Sequence, residues 1–134
     1  MTTDTSGDAT GKLILRLAIG VLMLFHGVAK IQNPEFVALI VRQVTATGLP
    51  AALAYCVYVG EVVAPLMIVL GLLSRIGGLI VVTNMMFAIA LTHGAQVFTL
   101  SKSGGWALEL QGLYLLGAVA IVFLGSGRFA ARPD

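Results

Sequence analysis

Charge is what this sequence has least of. Only six acidic and eight basic side chains occur in 134 residues, 10% against 58% hydrophobic. A soluble domain carries about 25% charged residues. So little charge cannot cover a water-facing surface, and the mean hydropathy of +0.99 agrees. Cysteine is nearly absent too. Cys56 stands alone inside an apolar run, which excludes an internal disulfide and a CxxC redox or zinc motif and reads as small packing. The net charge of +2 is scattered, and no basic run or stacking platform points to nucleic acid. A signal peptide is also disfavoured: the first apolar run is long, holds Arg16, His26 and Lys30, and no small-residue cleavage site follows it.

Apolar runs dominate what is present. A membrane-spanning helix needs about 20 mostly apolar residues, and four segments qualify: Leu13–Ile31, Ala52–Leu73, Ile76–His93 and Trp106–Leu124. They lack the alternation of strands. The expected fold is all-α, a four-helix transmembrane bundle over residues 13–124, with a disordered polar tail at 1–12 and a short polar tail at 125–134. Between the first two spans, residues 34–47 place Phe36, Val37, Ile40, Val41 and Val44 on one face and Glu35, Arg42, Gln43 and Thr45 on the other. This is an amphipathic interfacial helix, capped by Asn33 and closed by Gly48 and Pro50. It is either a plain connector or a lid over a site. Ser74 and Arg75 alone join the second and third spans. Four spans put both termini on one side, with Lys12, Arg16, Arg75, Arg128 and Arg132, against Lys30, Arg42 and Lys102 on the other. Basic residues favour the cytoplasm, so both termini are expected there, in a multi-pass protein of a bacterial-type inner membrane.

Ionisable groups inside a span cost about 2.5–3.5 kcal/mol each on insertion scales, so each calls for a role. At 1.5 Å per residue, Lys30 and His93 fall near the outer interface, Glu109 about 5 Å in, His26 and Gln111 about 8 Å, and Glu61 and Asn84 about 14 Å. They come from all four helices and converge on the outer half of the bundle. His26 and Lys30, four residues apart, share a face. Small residues accompany them: Gly27 beside His26, Gly60 and Ala64 around Glu61, Gly112 near Glu109. Pro65 removes a donor one turn after Glu61. Arg16 lies near the cytoplasmic end, and Arg16 and Arg75 read as structural charges. Trp106 and the tyrosines read as interfacial belt or packing residues.

Several chemistries fit the cluster His26, Lys30, Glu61, His93, Glu109 and Gln111. It can be structural, with the glutamates paired to Lys30, Arg16 or a histidine to fix helix register. It can be a pocket for a quinone headgroup or another amphipathic small molecule, whose carbonyls these side chains would hydrogen-bond and whose protons they would carry. A metal site is the weaker reading, since no HxxH or ExxH spacing occurs, and haem between two histidines is weaker again.

The order of motifs resembles the DoxX family. RLAIGVLMLFHGVAKI (Arg16–Ile31) is similar to its first helix, TGLP (Thr47–Pro50) to its glycine–proline loop, GEVVAPLMIVLGLLSRIGGL (Gly60–Leu79) to its intramembrane glutamate and the turn after it, and GSGRFA (Gly125–Ala130) to its glycine-rich end. The resemblance implies a compact four-helix membrane bundle, and it matches Arg16, His26, Lys30, Glu61 and Arg75 to the family pattern. Relatives with the DoxD name are membrane subunits of a thiosulfate:quinone oxidoreductase, so a quinone-linked redox subunit is implied. The lone cysteine argues against thiol-pair electron transfer. With no nucleotide, flavin or iron–sulfur motif, such a subunit needs a partner holding the electron carrier. The alternative is a non-catalytic subunit that assembles into a larger membrane complex or a homo-oligomer. Transport is a third class, with little room for a path in four short helices.

Overall fold

The computed structural model describes residues 5–134. The first four residues of the expected N-terminal tail lie outside the described residues. Helix α1 runs over Ser6–Gln32, starting at Ser6 rather than Leu13. Its start is fixed by capping that bulk polarity hides: the Thr5 hydroxyl accepts from the Asp8 N–H at 3.2 Å, and Asp8 places negative charge in the first turn. Arg128 also donates to the Ser6 hydroxyl at 3.0 Å.

Asn33 separates α1 from α2 (Pro34–Ala46). The expected side-chain cap of α2 is not made. Asn33 closes α1 instead, with both its side-chain amide (2.8 Å) and its backbone N–H (2.9 Å) donating to the Ala29 carbonyl. Pro34 and Glu35 start α2 as expected. Val37 and Val44 are its buried side chains, and the helix packs mainly on the segment that follows it.

That segment, Ala51–Leu70, is the second apolar span, built of unlike pieces. A 3₁₀ helix covers Ala51–Cys56, a π-helical turn Val59–Val63, and α3 Ala64–Leu70. Pro65 explains the wide turn. It has no N–H to offer, and the Ala64 N–H reaches back five residues to the Val59 carbonyl. The 3₁₀ winding also leaves Cys56 exposed rather than packed. α3 stops at Gly71, whose φ of +74° suits a residue without Cβ. The break before α4 (Ser74–Thr92) is thus Gly71–Leu73, and Ser74 and Arg75 already belong to α4.

After α4, residues 97–108 form a loop pinned by the Trp106 indole N–H donating to the Val97 carbonyl at 2.7 Å. Helix α5 therefore spans Glu109–Leu124, starting at Glu109 rather than Trp106. Ser6–Gln32, Ala51–Leu70 and Ser74–Thr92 are long and apolar enough to cross a membrane, and α5 is a shorter apolar helix of 16 residues. The fold is an all-α helical bundle. Ile19, Met23, Ile68, Val81, Met85 and Ile121 meet in its core. Glycine lets the helices close on one another: a Cβ on Gly27 would collide with the Glu61 carbonyl, and one on Gly78 would stand 3.0 Å from the Ala118 carbonyl.

One end of the bundle is locked by arginine. Arg16 is 1% exposed. Its guanidinium donates to the carbonyls of Ile68 (2.8 Å), Val69 (2.9 Å), Ser126 (2.9 Å) and Phe129 (2.7 Å). It thereby closes the C-terminal end of α3 and ties it to the last ten residues. Those residues, read from composition as a tail, fold back: Ala131 and Arg132 N–H groups donate to the Leu70 and Gly71 carbonyls at 2.9 and 3.1 Å. Arg75 donates to the Val122 and Phe123 carbonyls at the end of α5. The Asp134 carboxylate accepts from the backbone N–H groups of Arg75 (2.9 Å) and Ser126 (3.0 Å). Partial burial alone would raise the Asp134 carboxyl, but these donors and the nearby Arg75 charge outweigh it and hold it below its ordinary value.

Candidate functional site

At the other end the polar groups surround a space. A cavity of about 710 Å³ opens among α1, α2, the broken span, α4 and α5. His26, Lys30, Glu61, His93 and Gln111 all line it. Glu109 does not. Because α5 starts at Glu109, that carboxylate stays in the exposed first turn, close to Gly105.

Lys30 and Glu61 form the centre. The Lys30 ammonium lies 2.6 Å from Glu61 Oε2, with side chains 18% and 10% exposed. The other carboxylate oxygen takes a longer contact from the Asn84 amide, at 3.4 Å. The equal depths expected for Glu61 and Asn84 thus become an actual pairing. The local causes are visible. Gly27 sits directly against the Glu61 backbone, and Gly60 sits against Asn84, where a Cβ would overlap the amide. Glycines on α1 and the broken span therefore bring three helices close enough for a four-carbon lysine to reach the glutamate. The π turn sets which way Glu61 faces, because it shifts the helix register by one residue at that position.

His26 and Tyr114 meet edge to face, centroids 5.7 Å apart. Tyr114 is buried. Nearer the loop end, His93 Nε2 lies 3.4 Å from the Gln111 amide and Nδ1 lies 2.8 Å from Gln96 Oε1. A row of polar groups thus runs along one wall from the 94–108 loop to Glu61. The remaining lining is mostly hydrocarbon, largely from α2 and α4, with Gln43, Thr83 and Thr92 among it.

Arg16 stands apart from this row. It meets carbonyls, not a carboxylate, so its pairing with a glutamate is not formed. Sequence reading did not assign Gln43, Thr92 or Cys56 to the site, although all three line the cavity. Gln43 falls on the polar face of α2, and only the placement of α4 beside that face brings it to the cavity. Tyr114 could have been found: it follows Gln111 by three residues and so shares its face. Among the described residues, no three His, Cys, Asp or Glu side chains gather as metal ligands would.

Comparisons with known proteins agree with this architecture. The family model described as DoxX matches residues 11–94, the stretch carrying α1, α2, the broken span and α4. A Bacillus subtilis (strain 168) protein named "Putative oxidoreductase CatD" is 27% identical over 123 residues, covering 92% of this chain and 85% of that protein. No solved structure matches the chain.

Proposed function

From the premise that this chain belongs to the DoxX family of membrane proteins, we propose that it is a quinone-linked redox subunit whose cavity holds the headgroup of a lipid-soluble carbonyl compound. The observation that carries this reading is the Lys30–Glu61 pair on the wall of an otherwise apolar cavity. A buried ion pair that only locked register would be expected to sit in close packing, whereas this one borders open volume. The residues suit a quinone. The Lys30 ammonium can donate to a carbonyl oxygen, the Asn84 amide can donate to a second acceptor, and Glu61 can take or give a proton beside them. A quinone supplies the electron- and proton-accepting chemistry, and the electrons come from a partner protein, since no cofactor motif is present in this sequence. The relative's name, an oxidoreductase, supports the same direction.

In this reading α5 is the fourth span, about 24 Å long at 1.5 Å per residue. Both termini and the Arg16 end face the cytoplasm, and the cavity lies in the outer half of the bilayer. Mass spectrometry of lipids co-purified with the full chain tests the function: wild type should carry a stoichiometric quinone, and Glu61→Gln should lose it while keeping its helical circular dichroism. A wild-type protein that is free of quinone, binds none when it is added, and co-purifies with a defined partner would favour an assembly subunit.

A further inference from the structure

The cavity has a mouth of particular chemistry. Phe36 and Leu39 from α2, Leu53 from the broken span, and Ile76, Leu79 and Phe87 from α4 line it and are also open outward, at 47%, 50%, 43%, 48%, 53% and 51% exposed respectively. The Lys30–Glu61 pair, with side chains 18% and 10% exposed, lies deeper than this apolar rim. An entrance for a water-borne solute would be edged mainly by polar groups, whereas this rim is mainly hydrocarbon, interrupted by the Gln43–Thr92 pair. The lining also continues along α4 from Asn84 to Ile76, a run of about 12 Å at 1.5 Å per residue, so space remains beyond the polar centre.

One wall of that mouth is α2, and it is weakly held on this side. It packs on Ala51–Cys56 and touches α4 only lightly. The Thr92 hydroxyl donates to Gln43 Oε1 at 3.0 Å and joins the two helices across the rim. At its ends α2 meets Asn33, outside helical geometry, and Gly48, at φ +84° with open space around it. Both are places where the backbone can turn without unpacking the bundle. The Ala51–Cys56 unit that α2 rests on leads into the π turn carrying Glu61.

We propose that the cavity takes a hydrocarbon-tailed amphiphile sideways from the bilayer, through the α2–α4 side, and that the Gln43–Thr92 hydrogen bond latches this side. The proposal rests on the quinone-site reading. It adds the route of entry, with the tail of the ligand along the apolar rim, and makes α2 the moving part. The movement also reaches the site, because α2 and its support are continuous with the turn that aims Glu61.

The test uses the full chain in lipid nanodiscs, with decylubiquinone as the probe and quenching of Trp106 as the signal. Trp106 is the sole tryptophan and packs against Gly112, next to Gln111 of the cavity. In a Cys56→Ser background, Gln43→Cys and Thr92→Cys are bridged by a short reducible bis-thiol reagent. Bridging should slow quenching by more than about ten-fold, and reduction should restore it, as expected when opening of a segment limits entry. Thr92→Val should speed both entry and exit by about five-fold, the factor an ordinary hydrogen bond is worth. A bridged protein that quenches as fast as the reduced one overturns the gate and leaves the binding site standing. If the unbridged protein and wild type show no saturable quenching, the quinone reading fails, and the gate falls with it.

Discussion

The two ends of this bundle bury charge in opposite ways. Around Arg16, every donor direction used is met by a carbonyl, and four main-chain oxygens from two distant segments converge on one guanidinium. Around Lys30 and Glu61 there is a single short contact, one long amide contact and open volume. The first arrangement uses four of the five guanidinium N–H donors and leaves little for a ligand to satisfy. The second leaves polar atoms whose partners are few, in a low-dielectric setting where an added hydrogen bond counts for more than in water. Saturation by backbone thus marks a structural charge, and incomplete partnering beside a void marks a candidate site.

Removing Arg16 attacks the saturated end and should have the largest effect. Arg16→Ala strips four carbonyls of their donor, at about 1–3 kcal/mol for each left unpaired and with partial relaxation, so a loss of about 3 kcal/mol or more is expected in denaturant titrations in detergent. Arg16→Lys should recover only part of this, because an ammonium lacks the planar fork. Full recovery by lysine would mean that charge, not the fork, holds this end.

Gly27→Ala strikes the open end through its backbone. The new Cβ meets the Glu61 carbonyl, so α1 must move off the broken span, at a cost of about 1–3 kcal/mol. Lys30 would then lose its reach to Glu61, and quinone binding should fall together with stability. An unchanged affinity would separate the ion pair from binding.

Glu61→Gln should affect stability by less than about 1 kcal/mol, since the amide oxygen can still accept from Lys30, yet weaken quinone binding by about ten-fold, or 1.4 kcal/mol. A large stability loss with intact binding would assign Glu61 to the same class as Arg16 and erase the contrast between the ends.

The smallest effect belongs to Asp134. Its folded carboxyl titrates below the ordinary value of 3.8, so the stability it lends is present above that value and is lost as pH falls through the folded one. Thermal unfolding of wild type should therefore hold level through neutral pH and drop only in acid. Asp134→Asn should be slightly less stable at neutral pH and lack that acid drop. A variant as stable as wild type at pH 7 would remove Asp134 from the locked end.

The contrast between the ends also explains what the sequence revealed. Three of the four spans were legible because long apolar runs leave little choice, the fourth becoming a shorter apolar helix, and so was α2, whose expected 34–47 range became Pro34–Ala46. The gathering of His26, Lys30, Glu61, His93 and Gln111 was legible too, since the cost of ionisable groups in a span and simple depth arithmetic both push them together. Three things were not. The partners of Arg16 are main-chain oxygens, which carry no residue signature, so a glutamate seemed the natural partner. The closing residues 125–134 look like a tail because their attachment runs through backbone and one carboxylate. Glu109 was misplaced in depth because the helix start depends on the loop held by Trp106 and Val97. Each miss is a case where a long-range backbone contact, not side-chain polarity, decides position.

The Arg16 lock also has a consequence for biosynthesis. Two of its acceptors, at Ser126 and Phe129, are made 110 and 113 residues after the arginine itself. At about 5–20 residues per second, that is a wait on the order of ten seconds. During that time α1 carries a cation that lacks two of its four final acceptors. The nascent first helix must keep Arg16 at a watery or headgroup-rich boundary, or beside the insertion machinery, and can settle to its final depth only when the last turn of α5 and the residues after it emerge.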